Sequence, residues 1–364
     1  MRKVLLRFVF DQLWKFESAN NELLVGYGWL IAFWFLIAAI SAAVMFRTTR
    51  NRGELLSSLP FWAAVPTIVA LIPILGLKPA VTGIPVFGYG FMLFVGFSTA
   101  TLLATRRAET VGLSTDTIWD LMIWLLIPGI IGARITYLLQ YGDRVLAGKH
   151  GVELLTAILA LWDGGIVFFG CIIGGMVGML IFCRRRGIRF FQLSDVVMPS
   201  LFVGLGFGRI GCFLYGCCFG APCSLPWGVS FPPDSMTYPV LQTRGPEFIL
   251  PDGSGTIPLH PTQIYSSVLA FCLAAFLAWY FRRRTVEGSV TALACCIYPV
   301  GRFAMEIVRD DEPGRLGTGL TFSQLVSLFV MCLGVALLLR LRHSSPDSSA
   351  EQGSGAGQRR EGFL

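Results

Sequence analysis

LSDVVMPSLFVGLGFGRIGCF (Leu193–Phe213) decides the fold. A helix crosses a hydrocarbon core of about 30 Å in roughly 20 residues, and this apolar run is long enough to do so. Backbone inside lipid must satisfy its own hydrogen bonds, so such a run is read as a spanning helix. Working outward, runs of the same kind lie at Leu23–Phe46, Pro60–Leu77, Pro85–Thr105, Thr117–Gln140, Gly164–Cys183, Pro261–Phe281, Gly288–Ile307 and Thr321–Leu339. The expected fold class is all-α, a polytopic membrane helix bundle of about nine spans. Composition agrees: 54% of the residues are hydrophobic and 14% charged, against about 45–50% and about 25% in soluble domains. A soluble enzyme and a nucleic-acid-binding module are excluded.

The net charge of +7 comes from 29 basic and 22 acidic residues, and the excess gathers in short clusters at the ends of apolar runs. Arg47/Arg50/Arg52, Arg106/Arg107, Arg184–Arg186 with Arg189, Arg282–Arg284 and Arg340/Arg342 all fall on one side of a nine-span arrangement. Arginine favours the cytoplasm, so the N-terminus is expected outside and the C-terminus in the cytoplasm of a bacterial inner membrane. Arg2, Lys3, Arg7 and Lys15 pull the other way, and a dip of Pro60–Leu77 in place of a crossing puts the N-terminus inside. Leu5, Val9, Leu13 and Phe16 recur at helical spacing, which leaves Arg2–Phe16 as an interfacial amphipathic helix or an ordinary frayed terminus. Arg7 interrupts the run Val4–Phe10 and no small-residue cleavage site follows, so no removable signal peptide is read. Leu214–His260, rich in Pro and Gly, is expected to be a small extracytoplasmic head, and the polar Gly/Ser-rich tail from Ser344 a disordered segment.

Ionisable side chains within apolar spans are costly and by default mark a site. Arg134, Asp163, Arg209, Arg302 and Glu306 stand near the outer ends of their spans, with His260 and Gln263 where another span enters. Three guanidiniums against Asp163 and Glu306 leave positive charge over, which an anionic phospholipid headgroup balances, because arginine grips phosphate through two parallel hydrogen bonds. The bland alternative is that Arg302 and Glu306, four residues apart on one helix face, simply pair. Glycines beside these charges, Gly164, Gly165, Gly208 and Gly211, allow close backbone approach. For any single glycine, plain helix packing explains as much.

GRIGCFLYGCCFG (Gly208–Gly220), HPTQIY (His260–Tyr265) and GRFAMEIVRDDE (Gly301–Glu312) resemble blocks of the bacterial prolipoprotein diacylglyceryl transferases. GARITYLLQY (Gly132–Tyr141), WDGGIVFFGC (Trp162–Cys171) and Tyr89-Gly90 look like the remaining blocks, in the same order. The resemblance covers roughly residues 85–342, a seven-helix core with the head at 214–260 inside it; residues 1–84, with two spans, and the tail 343–364 lie outside. It implies transfer of the diacylglyceryl group of phosphatidylglycerol to the lipobox cysteine thiol of a preprolipoprotein, with release of glycerol 1-phosphate. On the matching motif positions it implies catalytic roles for Arg209, Arg302 and Glu306. Substrate-binding roles are expected for Arg209, Arg134, Tyr89, Asp163, Gly164, Gly165, Gly208, Gly211, His260, Gln263, Tyr265 and Tyr298. Phe169 stands where many members have a histidine, Cys212 and Cys217 where asparagine and glutamate are common, and Ser266 where a carboxylate usually follows. These departures leave the proton acceptor open and motivate the alternative of a degenerate member that binds anionic phospholipid without transfer. A small-solute transporter is less favoured, since no internal repeat is visible and the charges lie toward one face.

The chemistry is a displacement by sulfur at a glycerol carbon with a phosphate ester leaving. That leaving group is a stable anion and needs cations to hold its developing charge, more than an acid. Guanidiniums also favour the thiolate of a thiol whose ordinary pKa is about 8.5. If a base acts, Glu306, Asp163 and His260 are the candidates, although Glu306 equally serves to orient Arg302 and His260 to cap the helix before Pro261. No cofactor and no metal are expected. Of the ten cysteines, Cys212, Cys217, Cys218 and Cys223 cluster at the expected outer face. A disulfide among these four is the first reading, inert thiols the second and a metal site the third, with histidine too scarce nearby to favour zinc.

Overall fold

A computed structural model of the chain describes residues 4–9, 13–19, 22–49, 63, 66–67, 69–71, 84–160, 164–165, 167–309 and 319–343. In chain order the elements are β1 (Val4–Val9), β2 (Phe16–Ala19), β3 (Glu22–Gly26), α1 (Tyr27–Thr49), β4 (Ile84–Phe87), α2 (Gly88–Glu109), α3 (Thr115–Val145), α4 (Gly151–Leu159), α5 (Phe168–Arg186), α6 (Phe190–Tyr215), α7 (Thr237–Arg244), a 3-10 turn at Pro246–Phe248, α8 (Thr262–Phe281), α9 (Ser289–Val308) and α10 (Phe322–His343). Eight of the nine expected spans have a helix at their position; Pro60–Leu77 lies largely outside the described residues, as do Asp163 and the tail. By length and composition, α2, α3, α6, α8, α9 and α10 are able to cross a membrane. The chain is a polytopic helical membrane protein.

The described residues divide into two compact units, Met1–Phe94 with Phe207–Ile264, and Val95–Gly206 with Tyr265–Leu364, the division falling within α2, α6 and α8. The first unit corrects the all-α expectation. Val4–Val9 is neither an interfacial helix nor a frayed end but an inner strand of a sheet ordered β2-β3-β1-β4, parallel to β3 and antiparallel to β4. Leu5, Val9, Leu13 and Phe16 mimic a helical period, yet backbone pairing and an Arg7–Glu22 ion pair between β1 and β3 (2.7 Å) decide the outcome. The Arg7 guanidinium holds the Glu22 carboxyl below its ordinary range. Pro85, which has no N–H to give, stands in the edge strand, where its missing donor is tolerated. The expected first span, Leu23–Phe46, accordingly loses residues 23–26 to β3 and begins at Tyr27. The Leu214–His260 segment folds around a small cluster of its own, Phe219, Phe231, Leu241 and Leu259.

In the second unit Ile118, Leu121, Phe182, Leu193, Val196, Leu277 and Val290 form the core. Along α3 and α5, a Cβ added at Gly170, Gly174 or Gly178 falls 2.0–2.3 Å from a carbonyl oxygen of Gly132, Pro128 or Trp124. The G-x-x-x-G-x-x-x-G spacing of α5 is therefore a seam for close backbone contact, the usual means of helix association where lipid removes the hydrophobic drive. The arginine-rich ends of three helices meet the starts of three others. Arg186 pairs with Asp120, Arg107 bonds Ser200 and the Val196 carbonyl, Arg189 pairs with Glu287 (2.7 Å), and Arg284 pairs with Asp195 (2.6 Å). Antiparallel spans with their basic ends on one side require this arrangement.

Candidate functional site

In the first unit, the signature block ends α6 in a tight turn. Gly216 takes a left-handed conformation (φ 75°), its N–H reaches the Phe213 carbonyl, and the Cys217 N–H reaches the Cys212 carbonyl. This pair of bonds closes a helix in the way a glycine just past the end allows. Cys218 is also left-handed (φ 61°), unlike every other non-glycine among the described residues. The carbonyls of Gly216, Cys217 and Cys218 then accept, in order, from Thr237 Oγ1 (2.7 Å), Gln263 Nε2 (2.6 Å) and Thr262 Oγ1 (2.7 Å). The HPTQIY block thus pins the signature block. The backbone of His260 completes the tie, accepting from Gly220 and Thr262 and donating to Ala221.

That turn gathers side chains. Arg209, one helical turn before Cys212, acts electrostatically on both Tyr89 and Cys212 and has no hydrogen bond or ion pair among the described residues. Tyr89 packs on Tyr215 (centroids 6.3 Å), and a Cβ at Gly211 stands 3.0 Å from the Tyr89 ring, so the glycine lets the two helices close. Gly208 faces Leu93. The Oε1 atom of Gln263 is buried with no hydrogen bond. The sulfurs of Cys212, Cys217 and Cys218 lie within 4.8 Å of one another, whereas the Cys223 side chain is buried outside that group. Hydrogen bonding with Cys212 first, then Cys218 and burial, raises the Cys217 thiol well above the ordinary thiol range, which argues against it as a nucleophile.

The second unit holds two further arginines in different states. Arg134 is buried and donates to four carbonyls: Ala157 (2.7 Å), Ile158 (3.0 Å), Gly164 (2.7 Å) and Gly165 (3.1 Å). Gly165 is left-handed (φ 75°), and a Cβ there meets Tyr137 at 2.4 Å and Arg134 Nη1 at 2.8 Å. Arg134 therefore shapes the turn after α4. Arg302 pairs with Glu306 and donates to Ser323 Oγ (2.8 Å) at the start of α10. Of its five N–H donors, the other three have no partner among the described residues. Glu306 Oε1 is likewise buried without a partner. The bland pairing of Arg302 with Glu306 is real, and it leaves binding capacity on both partners.

Phe169, at the position where many members of the resembled family have a histidine, stacks edge-on against Phe322 (5.0 Å), next to Ser323. Tyr298 packs on Phe202 (5.2 Å) beside the core, and Tyr265 lies in the first turn of α8. Of the expected site residues, Tyr89, Gly208, Arg209, Gly211, His260 and Gln263 thus lie in the first unit, and Arg134, Gly164, Gly165, Tyr265, Tyr298, Arg302 and Glu306 in the second. Thr237, Thr262, Ser323 and Asp195 were missed. Asp195 was available to the rule that flags charges inside spans, since it sits in the opening Leu193–Phe213 run. The hydroxyls carried no such signal.

A family model described as prolipoprotein diacylglyceryl transferase matches residues 79–340. Among similar proteins are the phosphatidylglycerol–prolipoprotein diacylglyceryl transferase of Clostridium tetani strain Massachusetts / E88, 36% identical over 70% of this chain and 92% of its own length, and a protein so named from Clostridium perfringens strain 13 / Type A, 34% identical over 70% and 91%. The protein of that name from Rhodopirellula baltica strain DSM 10527 / NCIMB 13988 / SH1 is 28% identical over 91% of this chain and 89% of its own.

Proposed function

The chain belongs to the prolipoprotein diacylglyceryl transferase family, and from that premise we propose that it moves the diacylglyceryl group of phosphatidylglycerol to the lipobox cysteine thiol of preprolipoproteins. Glycerol 1-phosphate leaves. The substrate thiolate attacks the glycerol carbon that carries the phosphate ester, the carbon–oxygen bond breaks, and the charge collects on the departing phosphate. Arg209 and Arg302 are each assigned to that charge on the family motifs that carry them, and neither needs to give up a proton. Glu306 orients Arg302 through its bonded oxygen. Arg134, already committed to carbonyls, acts as a positioning residue for the Gly164-Gly165 turn rather than a phosphate ligand. Asp163, Tyr89, Gly208, Gly211, His260, Gln263, Tyr265 and Tyr298 are assigned to lipid binding on the family motifs that carry them.

The observation that carries this reading is the Arg302–Glu306 pair, in which the buried Glu306 Oε1 has no hydrogen-bond partner. Buried polar groups are nearly always satisfied in a finished scaffold, so orphans mark a place for a ligand. The basic helix ends support an enzyme of nine spans in a bacterial cytoplasmic membrane, N-terminus outside and C-terminus inside. In that arrangement residues 85–342 are the catalytic core, 214–260 an outer head, 1–84 a two-span extension and 343–364 a cytoplasmic tail. The test is transfer of labelled diacylglycerol from phosphatidylglycerol to a lipobox peptide by the intact membrane protein. Transfer is expected that disappears with a Cys→Ser lipobox and with Arg209→Ala; phospholipid binding without transfer, or full transfer by a stably inserted Arg209→Ala protein, contradicts the reading.

A further inference from the structure

We propose that Cys212, Cys217 and Cys218 form a three-sulfur site for one thiophilic d10 cation, Cu(I) or Zn(II). Three observations converge on it. All three sulfurs lie within 4.8 Å of one another, and those of Cys217 and Cys218 are 3.7 Å apart. Thiolate–metal bonds of about 2.3 Å place three sulfurs around one trigonal cation about 4.0 Å apart. The cluster therefore needs only small side-chain rotations to close on an ion. A disulfide requires two of the sulfurs to approach to about 2.05 Å and leaves the third idle.

The backbone that presents these sulfurs is built, not incidental. The left-handed Gly216 and Cys218 turn the chain back on the end of α6, so that residues 217 and 218 return toward Cys212. The three successive carbonyls of that turn are each held by a side chain from elsewhere in the chain, Thr237, Gln263 and Thr262. Ligands fixed in this way lose little freedom on closing around an ion. The three residues are also half-buried rather than sealed, so an ion has access. Soft thiolates select Cu(I) and Zn(II) over hard cations. Among the described residues no carboxylate or imidazole joins the group, which suits three-coordinate Cu(I) and leaves a fourth position open on Zn(II). Each ligating thiol releases its proton to solvent as the metal–sulfur bond forms, and no redox change is involved. Three thiolates outweigh the charge of either ion, so the filled site is net negative and stands one helical turn from Arg209.

The experiment uses the full chain in lipid nanodiscs, prepared with a phosphine reductant. Cu(I), buffered by bicinchoninate, and Zn(II), buffered by a chromogenic pyridylazo chelator, are titrated separately. One equivalent of one of these ions is expected to bind, with X-ray absorption reporting three sulfur neighbours and no nitrogen shell. Cys217→Ser and Cys218→Ser should each lower affinity at least tenfold, while Cys223→Ala should leave it unchanged. Maleimide footprinting of the unaltered protein covers the case of a variant that does not fold: the ion should shield Cys212, Cys217 and Cys218 together from the labelling they take without it. Failure of both ions to bind stoichiometrically, a nitrogen shell, fewer than three sulfur neighbours, binding that survives both serine variants, or a Cys212, Cys217 or Cys218 disulfide in protein isolated without reductant overturns the proposal.

Discussion

The second unit contains two arginine–carboxylate pairs with buried carboxylates that differ in what they leave undone. Asp195 is fully buried and accepts four hydrogen bonds, from Arg284 Nη1 (2.6 Å), the Gly288 and Thr291 N–H groups (2.8 and 2.9 Å) and Thr291 Oγ1 (2.7 Å). Two of those donors are backbone groups at the start of α9, so the carboxylate also caps that helix and meets its positive end. Glu306, nearly as buried, uses one oxygen on Arg302 and leaves the other without a partner. An enclosed charge with all its bonds made is scaffold. One with bonds missing has capacity left for a ligand, a water or a reaction step.

The comparison is easiest to break at its strongest point. Asp195→Ala strands Arg284 and uncaps α9, and removal of one member of a buried pair costs about 3–5 kcal/mol. Thermal unfolding in detergent should show this as a large drop in midpoint. Arg302→Ala strands the buried Glu306 carboxylate and should also lower the midpoint, and transfer per folded molecule should fall roughly 10²–10³-fold, the usual effect of deleting one group that stabilises developing negative charge; single-turnover kinetics at saturating phospholipid reads it. Glu306→Gln removes one charged hydrogen bond of about 1.5–3 kcal/mol, so transfer should fall by about ten- to a hundredfold. Gly165→Ala forces a side chain into a left-handed backbone against Tyr137, and strain of about 1–3 kcal/mol is expected in an unfolding titration. The smallest effect belongs to Thr291→Val, which keeps the shape and loses the hydroxyl's bonds to Asp195 and Ser194, worth about 1 kcal/mol apiece by the same titration.

Apolar length and the charges within it were legible because both are one-dimensional signals. Leu193–Phe213 announces a span by composition, and Arg209, Arg302 and Glu306 announce a site by being where charge is expensive. The family blocks added which chemistry. The sheet was not legible: Val4–Val9 owes its state to partners at Glu22–Gly26 and Ile84–Phe87, and pairing across such separations leaves no local period to read. Arg134 illustrates the same limit inside the site. Sequence marks it as an intramembrane cation like the other two, but only the turn at Gly164-Gly165 reveals that its guanidinium is already occupied by carbonyls. Asp195 shows the converse: its charge is plain in the sequence, but its role comes from the ion pair with Arg284, 89 residues away.

The central claim is that the incomplete pair works and the complete pair supports. Its most direct test measures transfer per correctly folded molecule for Glu306→Gln and Asp195→Asn side by side, with folding scored by unfolding midpoint in the same lipid. The account predicts that Glu306→Gln keeps its midpoint within a few degrees and loses most transfer, while Asp195→Asn loses its midpoint and retains transfer in the molecules that remain folded. Equal transfer by Glu306→Gln and the unaltered protein, or loss of transfer by folded Asp195→Asn molecules, contradicts it.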